Sequence, residues 1–153
     1  TKGSLFLSAG NMRRAAGSSR MEDVRGMSIL TPRSAAMFIA GMFAVTACPP
    51  FAPFFSELQV IRASLGVWDG AASIAIVACM LMAFCGMMRV VFGVTGGEPP
   101  PAALANSRGF AETRGIVIPP LLLLGLSLWL GLFTPETLRD AWAAAVAQLF
   151  PSI

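Results

Sequence analysis

The chain has 153 residues, 56% of them hydrophobic and only 12% charged, about half the charged share of an ordinary soluble domain. Its formal net charge is +3, it has no His and no Tyr, and its three Cys are scattered through apolar runs. These features exclude a soluble globular domain, a disulfide framework and a clustered His/Cys metal centre, and they leave Cys48, Cys79 and Cys85 as small core hydrophobes.

In chain order, residues 1–12 read as the end of a transmembrane helix. The chain opens without Met, already inside an apolar pattern and with no signal-peptide n-region before it, so it reads as the C-terminal part of a longer protein. Residues 12–33 are polar and carry Arg13, Arg14, Arg20, Arg25 and Arg33, with Ser19 and Glu22 at capping-box spacing. Residues 34–65 predict a broken transmembrane helix. The first part, 34–48, reaches only about 22 Å, short of a hydrocarbon core of about 30 Å. Pro49, Pro50 and Pro53 then interrupt it, because proline removes a donor and clashes with the preceding turn. Helical character is expected to resume at Phe54 or Phe55. Small residues on the first part (Ala35, Ala36, Ala40, Gly41, Ala44, Ala47) suit close helix packing.

Residues 71–93 and 115–133 each predict a transmembrane helix, the second with Pro119 and Pro120 in its first turns. Between them, 94–113 is rich in Gly and Pro and reads as a loop. Thr134-Pro135-Glu136 is a helix start, opening an amphipathic, interfacial helix over 135–149 with Leu138, Trp142, Val146 and Leu149 along one side. Trp68, Trp129 and Trp142 fit an aromatic belt, and most methionines fit packing. The fold class is therefore an all-α polytopic membrane protein, a helical bundle with one discontinuous helix.

Two crossings separate 12–33 from 94–113, so both lie on one side of the membrane. Most of the arginines are there, which by the positive-inside rule makes that side cytoplasmic and puts the C-terminus outside. The basic balance is thus a topology signal. The arginines flank spans without interleaved aromatics, which excludes nucleic acid as a partner.

Two charges stand deep in the apolar layer. Glu57 lies about 12 Å in from Leu65, and Lys2 roughly 14 Å from Asn11. A carboxylate at that depth by default marks an ion or proton path, and backbone groups freed at the proline break would hold the water such a path needs. The plainer alternatives are a carboxylate ending a short interfacial helix and a lysine that snorkels to an interface. Ser56 and Arg62 are candidate channel-lining residues, and Arg62 and Arg89 also suit interfacial anchoring.

Lys2-Gly3-Ser4-Leu5-Phe6, Gly10-Asn11, Arg25-Gly26 and Pro49-Pro50-Phe51-Ala52-Pro53-Phe54-Phe55-Ser56-Glu57 form a pattern that resembles the antiporter-like membrane subunits shared by respiratory complex I, multisubunit cation/proton antiporters and group 4 membrane-bound hydrogenases. The F-type membrane component of hydrogenase-4 looks most similar. The resemblance implies a proton-translocating subunit with Lys2 and Glu57 in one half-channel, other membrane subunits and the lipid bilayer as partners, and no cofactor, metal or redox site of its own. It implies coupling to electron transfer in a hydrogenase or NADH-quinone oxidoreductase assembly in a bacterial or archaeal membrane. A structural anchor with vestigial charges and a stand-alone cation/proton antiporter are the alternatives.

Overall fold

The computed structural model describes residues 1–67, 70–133 and 135–149. Among them every regular element is helical: α1 (Lys2–Ala16), α2 (Met27–Leu30), α3 (Pro32–Val45), α4 (Ala52–Val67), α5 (Gly70–Thr95), α6 (Pro101–Ser107), α7 (Arg114–Leu132) and α8 (Glu136–Leu149). Helices α5 and α7 are long and apolar enough to cross a membrane, and little of either is buried within the chain. Their length corresponds to about 39 Å and 28 Å. A core helix of a soluble protein would bury most of its surface; these present Ile74, Leu81, Met82, Leu122 and Leu126 outward.

The centre of the fold is the packing of α1 on α3 and α7, with α3 also against α7. Small residues permit it. Gly41 of α3 faces the backbone of Leu5, and Gly3 of α1 faces Leu123 of α7. Ala35, Gly41, Ala44 and Ala47 are buried, whereas Ala36 is on the exposed side. A tighter cluster of Met12, Ala16, Met27, Ala35, Phe38, Met42, Val91, Val94 and Ala103 gathers the ends of α1, α3 and α5 with α2 and α6.

At that end the two polar segments meet. Gly26, at φ 65°, donates its N–H to the carbonyl of Gly96 at 3.0 Å, and a Cβ there would strike Pro99. Gly17 closes α1 at φ 70°, with Asn106 so near that a side chain would collide with its amide. Asn106 Nδ2 donates to the carbonyl of Ala16 at 3.0 Å. The expected capping box at Ser19 and Glu22 is absent, since no helix starts there: Ser19 lies in irregular backbone and Glu22 in a turn. There Ser18 Oγ donates to Asp23 Oδ2 at 2.7 Å and accepts from the Arg20 N–H at 3.2 Å. A side chain that bonds its own turn in this way competes with helix formation.

Helix α3 stops at Val45, three residues short of the expected end at 48, and α4 begins earlier than expected. After Val45 the N–H groups of Thr46 and Cys48 donate to the carbonyls of Met42 and Phe43 at 2.9 and 3.0 Å. Ala47 between them has φ 52°, the left-handed position that glycine usually fills at a helix end. A cis Pro49–Pro50 bond follows, and α4 starts at Ala52 rather than at 54 or 55. Pro53 therefore falls in its first turn, where a missing N–H leaves no hydrogen bond unmade.

The cysteine expectation fails for two of the three. Cys48 is half-buried, but Cys79 and Cys85 are exposed, because α5 packs along a narrow stripe and turns the rest of its apolar surface outward. Trp129 is exposed; Trp68, Thr134 and the side chains of Leu138, Trp142, Val146 and Leu149 lie outside the described residues.

The left-handed conformation of an L-residue costs about 1–2 kcal/mol, so Ala47→Gly is expected to keep or raise the unfolding temperature in detergent. Ala47→Val, β-branched and buried at the same φ, is expected to lower it; equal melting of the two variants would contradict the conformation.

Candidate functional site at the proline break

Along α7, Pro119 and Pro120 are the sixth and seventh helical residues, past the N-terminal donors that go unbonded in any helix. Without their N–H groups the carbonyls of Gly115 and Ile116, four residues back, lose their helical partners. Asn11 answers one of these: its Nδ2 donates to the Ile116 carbonyl at 3.2 Å. Ser4 Oγ donates to the carbonyl of the buried Pro120 at 2.8 Å, and Ser8 Oγ bonds back to the Ser4 carbonyl at 2.9 Å. Thr1 Oγ1 and Ser127 Oγ share a hydrogen bond at 2.9 Å. Ser4, Ser8 and Asn11 recur at helical spacing and form a polar seam between α1 and α7. Their positions 4, 8 and 11 carried that signal in the sequence, and the reading from sequence missed it.

One turn beyond Ser127 on the same face of α7 is Gly131, which is buried against the break. A Cβ there would approach the Pro50 carbonyl oxygen, the Phe51 carbonyl carbon and the Ala52 nitrogen to less than 3 Å. The contact is backbone on backbone, so nothing in it can swing aside. Consecutive turns of α7 thus meet Thr1, next to Lys2, and the 50–52 backbone, five residues before Glu57.

Glu57 is half-buried on α4, while Lys2, Ser56 and Arg62 are exposed. Ser56 Oγ donates to the carbonyl of Pro53 at 2.8 Å. Pro49 and Pro50 are exposed, and Pro53 is half-buried. No hydrogen bond or ion pair among the described residues joins Lys2 to Glu57. What the structure brings together is their neighbourhoods, through α7, which packs on both α1 and α4. Arg89 is exposed on α5, beside an open apolar groove lined by Phe43, Phe84 and Phe92.

Glu112 was also missed. Its carboxylate accepts from the backbone N–H groups of Arg33 at 3.1 Å and Ser34 at 2.7 Å, capping α3 from the segment ahead of α7. No local pattern signals this cap, since 78 residues separate Glu112 from Ser34.

The family described as NADH:quinone oxidoreductase/Mrp antiporter, TM, matches residues 1–90, more than half of the chain. The chain belongs to this family. It is also similar to the D-type subunit of the Na(+)/H(+) antiporter of Bacillus subtilis (strain 168), with 23% identity over 133 residues, 87% of this chain and 26% of that protein. The chain thus spans about a quarter of the length of that relative. The matched region contains α1, the break and all of α4, together with most of α5.

Two outcomes follow from the geometry. Asn11→Ala strands the Ile116 carbonyl and is expected to lower stability by about 1–3 kcal/mol, read by denaturant unfolding of the full-length protein in detergent; a loss within error would show that another group satisfies that carbonyl. Gly131→Ala is expected to cost about 1–3 kcal/mol by overpacking and to alter the alkylation rate of Cys48 in the displaced break, whereas unchanged stability and labelling would contradict the contact.

Proposed function

We propose that this chain carries one half-channel of a proton-translocating subunit in a multisubunit membrane assembly, and that α3 and α4 together make one discontinuous span. The observation that carries this reading is the proximity just described. On successive turns, α7 meets the helix end that bears Lys2 and the proline break that leads into Glu57. Glu57 and Lys2 are the proton-exchanging groups, joined through water rather than by direct contact. The break supplies the polar backbone that a membrane interior otherwise lacks, and the half-burial of Glu57 allows both a desolvated and a hydrated state. Ser56 and Arg62, exposed on α4, line the outward part of the path. The basic segments 12–33 and 94–113, which pack together at one end, face the cytoplasm, and the C-terminus faces the opposite side.

Electron transfer in partner subunits, in an assembly of the hydrogenase-4 or NADH-quinone oxidoreductase type, drives the movement on this reading. The similarity to an Na(+)/H(+) antiporter component favours a second one, in which a cation gradient drives the same half-channel. Reconstituted whole assemblies separate them, since only the first pumps on addition of an electron donor and only the second on imposition of a sodium gradient.

The central test is Glu57→Gln in the complete assembly. Proton movement is expected to fall to background with assembly intact on native gels, and Lys2→Met is expected to lower it strongly. Pumping at the normal rate in Glu57→Gln would remove that residue from the path.

A further inference from the structure

The segment 94–113 touches neighbouring helix ends at three places: Gly96 at Gly26, Asn106 at Ala16, and Glu112 at Arg33 and Ser34. The third differs in kind, because a charged side chain meets a helix terminus. Helix α3 starts without a side-chain cap of its own. Pro32 has no N–H to cap, and the hydroxyl of Thr31 is engaged with the Met27 carbonyl at 3.3 Å. The first free donors are those of Arg33 and Ser34, and the two carboxylate oxygens of Glu112 take one each. Arg33 holds the same residue from the other direction, its Nη1 reaching the Glu112 carbonyl at 3.5 Å. A carboxylate in this position meets both unbonded donors and the positive end of the helix.

The geometry points to Glu112 as a positioning residue that sets the depth and rotation of α3, and through it the seating of the 46–51 break against Gly131. Helix α3 is a rod of about 21 Å, so a shift at its capped end reappears at Thr46 and Cys48. The functional weight of this positioning rests on the reading that the break belongs to the proton path. The positioning itself does not.

Cys48 is a natural reporter, being half-buried within the break. The test uses the full-length protein in its assembly, with Cys48 as the sole cysteine, and a membrane-permeant maleimide as probe. Glu112→Ala is expected to change the Cys48 labelling rate by about two- to fivefold, the factor that corresponds to the usual worth of a charge at a helix terminus, and to lower proton movement with it. Glu112→Gln keeps the shape and one acceptor, so its effect is expected in the same direction and smaller; if Glu112→Ala does not assemble, Glu112→Gln decides. In a parallel chain with Cys79 as the sole cysteine, labelling is expected to stay constant. An unchanged Cys48 rate overturns the proposal, and so does a joint rise at Cys48 and Cys79, which reports general loosening. Labelling does not measure transport, so normal pumping in Glu57→Gln would sink the functional reading while leaving Glu112 to be judged on Cys48 alone.

Discussion

A backbone that leaves its helix in apolar surroundings must find partners or close cover inside the protein, because each stranded N–H or carbonyl there costs several kcal/mol. Among the described residues, two such departures from regular helical bonding are the proline pair of α7 and the 46–51 break, and both depend on α7. Pro119 and Pro120 strip two carbonyls of α7 of their own partners, and Asn11 of α1 restores one contact. The 46–51 segment separates α3 from α4, and the bare backbone at Gly131 lets it lie directly against α7. The α1–α7 seam and the seated break are therefore parts of one arrangement. A side chain at position 131 or an apolar residue at position 11 disturbs both the helix and the place where ion chemistry is proposed.

The two ends of the packed helices are built differently. Where the polar segments meet, the chain buries methionine, phenylalanine and alanine in a cluster and ties three helix ends with hydrogen bonds. At the other end, Thr1 and Ser127 share a single bond and Gly131 receives the break. Lys2 is exposed and Glu57 is half-buried. One end is fixed by packing and the other by a few close polar and backbone contacts. That division suits a path that must admit water while its walls keep their register.

Much of this was legible in the sequence because the forces are local. Uniform apolar runs mark α5 and α7 wherever they pack, and the consecutive prolines mark a break after α3, although α3 itself ends at Val45, ahead of them. The onset of α4 lies two or three residues earlier than expected because Pro53 breaks a helix interior yet is tolerated in a first turn. The contacts of Asn106, Glu112 and Gly26 were not legible, since each joins residues some 70 to 90 positions apart. The Arg25-Gly26 motif illustrates the point. The sequence marks Gly26 only as part of a family pattern, whereas the structure gives its reason in the left-handed φ and the approach of Pro99. For Lys2 and Glu57 the sequence suggested depth and charge, but their relation through α7 required the fold.

The hydrogen bond between Ser64 and Ser73, 2.9 Å long and buried, joins α4 to α5. Position 64 is seven residues after Glu57, two helical turns along and on the same face. The bond therefore ties one face of α4 to α5, the face that also carries Glu57. A rotation of α4 about its own axis would swing the Glu57 carboxyl by the same angle and strain the Ser64–Ser73 bond. The Glu57 carboxyl cannot change its bearing by a turn of α4 without breaking or re-forming that one hydroxyl pair.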